Sequence, residues 1–492
     1  MPPQKEYKCL TNTISLVKKF FILLLIAGAL LLSCSDNSRY SHIKDSVSVD
    51  LDAIRERGKL IAVTDFNSTN YFIYRGEPMG FHFELLKAFS DHIGIDLEIV
   101  TENHLDNAFR MLHTGEADIL ALGLTVNATR KKDILFTEAI DETRQVLVQR
   151  KPNNWRTMTR NEVEKRLIRN QLDLSRKTVY AQKGSSHVER LYSLANEIGD
   201  SITVVEVPYE SERLIKLVEK GEIDYAVCDE NIALVNATYY PGIDVSTPLS
   251  FRQNIAWGLR KNDSDELLRE LNQWIRTFRK TETWAILYAK YFRNSRSSII
   301  VSSDYYTLST GKVSQWDDLI KIYSDSIRWD WRLLASLIYQ ESRFKPDVKS
   351  WAGAYGLMQV MPATGANFGI DITASPRNNL KAGTRYIIWL HSIFDKKIAD
   401  ENERLKFILA SYNAGPGHVL DAMKLAEKNG LDPHKWEGNV AVWLQKKTEP
   451  QYYNDVVVKS GYFRGNESIA FVTEILGRYG HYKNIIPVQK IN

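Results

Sequence analysis

Short apolar runs alternate with amphipathic segments from about residue 51 to residue 293. The runs IDLEIVT, ILALGLT and TVYAQ have the length of strands, whereas GFHFELLKAFSDHIG and SERLIKLVEKGE repeat apolar residues every three or four positions. Strands that alternate with helices of about 10–15 residues predict a parallel sheet covered by helices. The pattern therefore predicts an α/β fold for this half of the chain.

A local pattern of helix, Gly–Glu, apolar residue and Asp occurs twice in this half, as MLHTGEADIL and as LVEKGEIDYA. Such a repeat predicts two similar structural units. We therefore expect a bilobal domain at residues 51–293, with the second lobe at about 150–245.

The strand pattern ends at residues 294–312, which are rich in Ser and polar residues and are predicted to be a linker. Helical periodicity alone continues through 313–492, as in WDWRLLASLIYQES, ENERLKFILASYNA and a last helix around Glu467–Tyr479. The predicted fold class is thus a two-lobed α/β domain followed by an all-α domain.

The N-terminal residues 1–33 combine lysines with the apolar run Phe20–Leu32, which is short for a membrane span of about 20 residues. The run ends at LLSC and turns polar at once, which resembles a bacterial lipoprotein signal. In that interpretation the chain is cleaved before Cys34, Cys34 carries lipid and residues 34–50 form a tether. An ordinary signal peptide or an uncleaved anchor are the alternatives, and all three place the protein in the cell envelope. Ser35 after the lipidated cysteine favours the outer membrane.

Composition excludes several classes of function. A net charge of +4 over 492 residues, with no basic stripe carrying interleaved aromatics, argues against nucleic-acid binding. No cysteine spacing typical of a metal site occurs, and Cys228 in IDYAVCD is expected to be a buried apolar residue. We expect neither a metal nor an organic cofactor.

Glu341 is a candidate general acid because it lies on the apolar face of its predicted helix, with Leu334, Leu337 and Ile338. A carboxyl group held on an apolar surface has a raised pKa and stays protonated near neutral pH. The alternative is that Glu341 ends the helix and reaches solvent or Arg343.

Two further motifs carry side chains suited to a sugar. AYGLMQVMPATG and ASYNAGPG supply an aromatic face and amide groups at predicted helix ends. In this order and spacing, QESRF, AYGLMQVMPATG and ASYNAGPG resemble the lytic transglycosylases of the goose-type lysozyme superfamily, over about residues 313–479. The resemblance implies a lysozyme-like helical fold that cleaves the glycan strands of peptidoglycan, with Glu341 as acid and base. It also implies a sugar-binding cleft formed by Ser342, Met358, Gln359, Tyr412 and Asn413.

One position departs from that family. Its members usually carry a Tyr in the last helix, where SIAFVTEILGRY puts Phe471. Tyr453, Tyr462 or Tyr479 are the candidates to replace it.

The motifs contain no second acidic residue, and Asp347 and Asp371 are the nearest candidates. Most glycosidases need two carboxylates, whereas the resemblance implies a reaction with one. There the N-acetyl oxygen of the substrate attacks the anomeric carbon, and a 1,6-anhydro ring closes without water. A hydrolase, or a module that binds peptidoglycan without cleaving it, are the alternatives.

The segments GFHFELLKAFSDHIGIDLEIV and GEADILALGLTVNATRKKDILFTEA resemble bacterial solute-binding proteins for amino acids, over about residues 51–291. The resemblance implies an amino acid or muropeptide between two lobes. Arg130 would hold its carboxylate, as a planar guanidinium suits, and Asp229 its ammonium group. Thr125, Ser185 and the following Ser186 would add polar contacts, and Tyr71 or Phe72 could stack on it. Alternatively, Arg130 pairs with Asp133 or Glu138, Asp229 caps a helix, and the lobes are a scaffold without a ligand.

Overall fold

The computed structural model describes residues 50–293 and 303–486. The first range forms two α/β lobes and the second is helical, which confirms the predicted fold class. The predicted signal peptide, Cys34 and the tether up to residue 49 lie outside the described residues.

The first lobe begins with a helix and a strand, followed by a small hairpin. Its strands are β1 (Lys59–Thr64), β2 (Phe72–Tyr74), β3 (Glu77–Met79), β4 (Asp96–Thr101), β5 (Ile119–Thr125), β6 (Ile134–Phe136) and β7 (Asp141–Thr143). Its helices are α1 (Leu51–Arg57), α2 (Phe81–Ile93) and α3 (Leu105–His113).

The second lobe repeats this alternation. Its strands are β8 (Gln145–Arg150), β9 (Thr178–Gln182), β10 (Thr203–Val207), β11 (Tyr225–Asp229) and β12 (Ile243–Pro248). Its helices are α4 (Arg160–Glu164), α5 (Ser186–Ile198), α6 (Ser211–Lys220) and α7 (Glu230–Ala237). The chain then returns to the first lobe through β13 (Gln253–Arg260), α8 (Asp265–Phe278) and α9 (Glu282–Tyr288).

Each lobe has its own sheet. The first has the strand order β4-β1-β5-β13-β6, with β7 beside β13, and the second has the order β10-β9-β11-β8-β12. Strands β1, β4 and β5 are parallel, as predicted, whereas β13 runs antiparallel to β5, and β8 runs antiparallel to β11. The sheets are therefore mixed, because the strands near the crossings between the lobes run in the opposite direction. Cys228 is fully buried in β11, as expected.

The C-terminal domain is a bundle around one apolar core. Its helices are α10 (Thr307–Thr310), α11 (Asp317–Ser326), α12 (Trp331–Ser342), α13 (Pro362–Asn367), α14 (Pro376–Phe394), α15 (Glu401–Ala414), α16 (Pro416–Lys428), α17 (Ala441–Lys446), α18 (Pro450–Tyr453) and α19 (Gly465–Ile485). Single-turn 3-10 or π helices occur at Arg130–Lys132, Trp155–Thr157, Gln171–Leu174, Ala289–Arg293 and Trp436–Val440. Helix α12 is central, since its residues 332–339 are all buried between neighbouring helices.

The β2–β3 hairpin of the first lobe docks on α12. Ile73 of the hairpin belongs to the apolar core of the C-terminal domain. At the hairpin turn, the carbonyl of Gly76 accepts a hydrogen bond from the Tyr482 hydroxyl at 2.7 Å, and Glu77 accepts one from the Tyr339 hydroxyl at 3.3 Å. The two domains are therefore packed together through buried contacts.

The end of α19 makes a second contact with the first lobe. The Thr101 hydroxyl donates to the carbonyl of Asn484 at 2.9 Å, and the Tyr71 hydroxyl lies 2.7 Å from Nδ1 of His481. Burial lowers the pKa of His481 to about 4, so its imidazole is neutral at physiological pH. This contact needs no charge on either side.

The described part of the predicted linker, residues 303–312, packs against the hairpin. The carbonyl of Tyr305 accepts a hydrogen bond from the Arg75 backbone N–H at 3.1 Å. Tyr306 is buried and its ring packs on Phe72 with the ring centres 5.5 Å apart. This stretch thus contributes to the contact between the domains.

We expect Gly76→Ala to weaken this contact. A Cβ at Gly76 would lie 2.6 Å from the Phe344 ring and 2.8 Å from both the Tyr339 ring and the Tyr482 hydroxyl. Overpacking of this kind costs about 1–3 kcal/mol. The matched control is Gly58→Ala. There φ is +71° but no atom lies within 4 Å of the added Cβ, so the substitution costs only the strain of a left-handed backbone.

The measurement is the denaturant midpoint by tryptophan fluorescence, combined with the rate at which a protease cuts between the domains. Gly76→Ala should lower the midpoint further than Gly58→Ala and speed cleavage. Equal effects of the two substitutions would contradict the packing described here.

Candidate active site and interlobe cleft

Glu341 lies in the last turn of α12, on the face that carries the buried residues Leu334, Leu337 and Ile338. Burial raises the pKa of its carboxyl to about 8, and no charged neighbour contributes to this shift. Within the described residues the carboxyl also has no hydrogen-bond partner. Glu341 is therefore protonated at neutral pH and ready to give its proton away, as a general acid must be.

The chain turns sharply just after Glu341. Arg343 and Phe344 both have positive φ values, 51° and 62°, which end the helix. The carbonyl of Phe344 accepts a hydrogen bond from the Trp316 indole at 3.0 Å, so the turn is held against α11 and its leading segment. Two successive non-glycine residues with left-handed backbone conformation cost energy, which the surrounding packing must offset.

Asn379 of α14 holds the loop that carries Met358 and Gln359. Its side-chain oxygen accepts a hydrogen bond from the Met358 backbone N–H at 2.8 Å, and its amide donates to the Tyr355 carbonyl at 2.7 Å. A Cβ at Gly356 would lie 2.4 Å from the Asn379 amide nitrogen, so glycine is needed there. Sequence analysis missed Asn379, although an Asn inside a helix is a weak signal of such a role.

Gln359 is half-buried, with a positive φ of 45°. Its amide group donates to the carbonyls of Val348 and Gly356, both at 2.9 Å. These bonds use the nitrogen end of the side chain and orient the carbonyl end, which is an acceptor.

Tyr412 lies next to Glu341. Burial, with a further contribution from the charge of Glu341, raises the pKa of Tyr412 well above its ordinary value. Its hydroxyl donates to the Met358 carbonyl at 2.7 Å, and its ring packs beside Tyr386 with the centres 5.4 Å apart. The Met358 side chain is fully buried over Gly383. It offers no surface to a sugar, so Met358 supports the site through its carbonyl.

Ser342 and Asn413 are both bonded to neighbouring protein groups. The Ser342 hydroxyl is buried and donates to the Ile338 carbonyl in its own helix at 3.1 Å. Asn413 is exposed, and its side-chain oxygen accepts a hydrogen bond from the Ser468 hydroxyl at 2.6 Å. Ser468, on α19, is a second residue that sequence analysis missed.

Phe471 is buried in the core and supplies no hydroxyl. Of the residues proposed to replace a family Tyr, Tyr479 donates to Asp330 at 3.1 Å, at the opposite end of α12 from Glu341. Tyr453 and Tyr462 pack on each other edge to face, with their ring centres 5.7 Å apart. Tyr479 is therefore excluded as a replacement.

Neither of the two nearest acidic candidates approaches the Glu341 carboxyl closely enough to change its pKa. Asp371 is exposed and accepts two hydrogen bonds from Thr373, at 2.9 and 2.8 Å. Asp347 is exposed and accepts one from Tyr355 at 3.4 Å. In the described part of the chain, no second carboxylate thus contributes to the raised pKa of Glu341. The same ranges contain no cluster of three or more His, Cys, Asp or Glu side chains that could hold a metal.

The residues predicted for the N-terminal ligand border the cleft between the lobes. The Ser186 hydroxyl donates to that of Thr125 across the cleft at 3.3 Å, and the Arg130 guanidinium donates to the Thr125 carbonyl at 3.2 Å. Asp229 lies 3.4 Å from the His187 imidazole, and the Ser185 hydroxyl donates to the Gln182 carbonyl at 2.6 Å.

The lobes are closed directly on each other. Glu212 accepts a hydrogen bond from the Ser68 backbone N–H at 2.7 Å, and the Gln182 amide donates to the Asn103 carbonyl at 2.9 Å. The remaining cavity, lined by Gly123, Asp229 and their neighbours, measures about 20 Å³. That volume suits about one water molecule, so an amino acid enters only after the lobes open.

Some residues at the cleft differ from expectation. Tyr71 and Phe72 are buried, Tyr71 against His481 and Phe72 against Tyr306, so the prediction that one of them stacks on a ligand is wrong for this conformation. Asp65, which was not predicted from the sequence, is half-buried beside the cleft. Burial raises its pKa to about 7, although Asn70 donates a hydrogen bond to it at 2.7 Å.

Two family models match the two halves of the chain. Residues 318–434 match the family model of the transglycosylase SLT domain, and residues 60–294 match that of the bacterial extracellular solute-binding proteins, family 3. An ancestral arginine-binding protein bound to arginine aligns with 48% of this chain and 99% of its own, at 25% identity and a TM-score of 0.41.

Curated relatives match nearly the whole chain. Membrane-bound lytic murein transglycosylase F of Desulfosudis oleivorans is 33% identical over 428 residues, which cover 87% of this chain and 90% of the relative. The protein of the same name from Pseudomonas fluorescens is 30% identical over 440 residues, which cover 87% and 85%.

The fold and the site define a lytic transglycosylase fused to a solute-binding domain. The chain belongs to the membrane-bound lytic murein transglycosylase F family.

Proposed function

We propose that the protein cleaves the bond between N-acetylmuramic acid and N-acetylglucosamine in peptidoglycan, and leaves a 1,6-anhydro-N-acetylmuramic acid end. The observation that carries this proposal is the single desolvated carboxyl of Glu341, whose pKa is raised to about 8 by burial alone. A lone carboxyl that is protonated at neutral pH suits a reaction in which the substrate supplies the nucleophile.

The proposed reaction has two steps. Glu341 gives its proton to the glycosidic oxygen while the substrate's N-acetyl oxygen attacks the anomeric carbon, so that the bond between this carbon and the glycosidic oxygen breaks and the N-acetylglucosamine end leaves. Glu341, now a carboxylate, removes the proton of the C6 hydroxyl, whose oxygen attacks the anomeric carbon, displaces the N-acetyl oxygen and closes the anhydro ring. One group serves as acid and then as base, and its intermediate pKa suits both steps.

The other site residues are assigned to binding and support. Gln359 presents its carbonyl to a sugar N–H or hydroxyl, because its amide nitrogen is engaged by Val348 and Gly356. Tyr412 offers its ring, and its hydroxyl fixes the loop through the Met358 carbonyl. We assign Asn413, exposed at the end of α15, to sugar binding, and the buried Ser342 to support of the end of α12.

The test is mass spectrometry of sacculi digested by the protein without residues 1–34, compared with Glu341→Gln. We expect anhydro-muropeptides from the parent and at least about a 100-fold lower rate from the variant, the loss typical of a missing general acid. The matched control is Glu474→Gln. It replaces an exposed carboxyl of α19 that accepts a hydrogen bond from Gln340, the residue before Glu341 on α12.

Reducing ends in place of anhydro ends would make the enzyme a hydrolase. Wild-type protein that binds sacculi and releases nothing would make it a binding module. An equal loss in Glu474→Gln and Glu341→Gln would contradict the role of Glu341.

We further propose that an amino acid or muropeptide binds between the lobes and modulates the lytic domain. The supporting observation is the convergence of Thr125, Ser186 and Asp229 from both lobes on one cleft, beside Arg130. A cation and a carboxylate on one cleft favour a zwitterion. Binding must compete with the direct contacts between the lobes, and modulation requires that the ligand favour one arrangement of the domains.

Calorimetry with single amino acids and with muropeptides tests this site. We expect the double variant Arg130→Ala, Asp229→Asn to lose at least about tenfold in affinity, because charge-assisted hydrogen bonds are the strong ones. Arg110→Ala, which removes an exposed ion pair with Glu116 outside the cleft, is the control. Equal affinity in the double variant would contradict the site, and a lytic rate unaffected by saturating ligand would contradict modulation.

The relatives' name indicates association with a membrane. Within residues 50–293 and 303–486, none of the helices is long and apolar enough to cross a bilayer. We propose attachment through lipid on Cys34, with the protein at the outer membrane and facing the periplasm.

A further inference from the structure

A pocket of about 440 Å³ lies between the two domains, beside the catalytic helix. Its walls come from the β2–β3 hairpin, from Tyr305, from residues 313–315, and from Tyr339 and residues 343–345 around the end of α12. Neither domain forms the pocket alone. Its volume falls in the range typical of ligand sites, roughly 300–1,000 Å³.

The pocket is positively charged. Arg75, Arg343 and Lys345 line it and are exposed, and none of them has an ion pair within the described residues. Glu77 is the one acidic residue in its wall, and it accepts a hydrogen bond from the Tyr339 hydroxyl. The formal charge of the wall is thus positive, and its cations are available to an anion.

Aromatic residues give the pocket apolar surface as well. Tyr74, Tyr305 and Tyr339 contribute to its wall, and the Arg75 guanidinium lies 5.3 Å from the centre of the Tyr74 ring. Arg478 covers the other side of Tyr339, 4.4 Å from its ring centre. Cations set among aromatic rings suit a ligand that carries carboxylates on a chain with apolar parts, as an acidic peptide does.

Two residues of the pocket wall, Tyr339 and Arg343, lie two positions before and after Glu341 in the chain. Arg343 follows Glu341 by two residues, so their Cα atoms are at most about 7 Å apart. On a helix with 3.6 residues per turn, Tyr339 and Glu341 point about 200° apart, and therefore to opposite sides of α12. A chain of a few residues attached to the sugar beside Glu341 is long enough to pass the end of α12 and reach the pocket.

We propose that this interdomain pocket binds the carboxylates of a peptide attached to the glycan strand that is being cleaved, with Arg75, Arg343 and Lys345 as the binding cations. The proposal rests on the proposed function, since it takes the substrate to be peptidoglycan. It makes the pocket a determinant of specificity for strands that carry stem peptides.

The test compares two substrates: sacculi, and glycan strands from which an amidase has removed the peptides. The probe variant is Arg75→Ala, Lys345→Ala, which leaves Arg343 unchanged because Arg343 follows Glu341 by only two residues. The matched control is Lys165→Ala, Arg166→Ala in the second lobe, which also removes two exposed positive charges. The readout is kcat/KM for anhydro-end formation on each substrate.

We expect the wild-type enzyme to have a higher kcat/KM on peptide-bearing strands than on peptide-free strands. In the probe variant this ratio should fall at least about tenfold, because the KM for peptide-bearing strands rises. The control should keep the preference. Added salt should reduce the wild-type preference, because exposed charges are screened.

An unchanged preference in the probe variant would overturn the proposal, as would an equal loss on both substrates. If the probe variant instead loses binding to vesicles of phosphatidylglycerol and keeps its preference, the pocket recognises a lipid headgroup and the proposal is wrong. Wild-type enzyme that forms no anhydro ends from either substrate would contradict the proposed function itself, before the pocket is tested.

Discussion

The removal of one carboxyl group from water is the constraint on which the rest of the structure depends. Glu341 ends a helix whose residues 332–339 are buried, and burial alone keeps its carboxyl protonated at neutral pH. The neighbouring parts preserve this environment. Asn379 fixes the loop of Met358 and Gln359, and Tyr412 ties that loop to α15. A positively charged partner near Glu341 would stabilise the carboxylate and lower the pKa, so that the proton would be lost at neutral pH.

The same helix also joins the two domains. On the side away from Glu341, Tyr339 contacts the hairpin at Gly76 and Glu77, and the turn after the helix places Phe344 against the same glycine. The hairpin therefore contacts residues on both sides of the acid in the sequence. This arrangement gives a physical route by which the N-terminal lobes could affect catalysis, and it creates a charged pocket that belongs to both domains.

Local patterns predicted much of this structure. The run ILALGLT corresponds to β5. The spacing of apolar residues every three or four positions correctly placed Glu341 on the buried face of its helix. The antiparallel strand β13 and the support given by Asn379 and Ser468 were not predicted, because each depends on partners far away in the sequence. The burial of Tyr71 and Phe72 was missed for the same reason, since helix α19 and Tyr306 cover them.

In this structure the Glu341 carboxyl is a neutral acid at physiological pH. Infrared difference spectroscopy between the wild type and Glu341→Gln follows the carbonyl stretch of the protonated carboxyl as the pH rises from about 3 to 10. The account predicts a band that persists through neutral pH and disappears with a midpoint near 8. A midpoint near the ordinary value of 4.5 would contradict it, because the carboxyl would then be charged and could not serve as the acid.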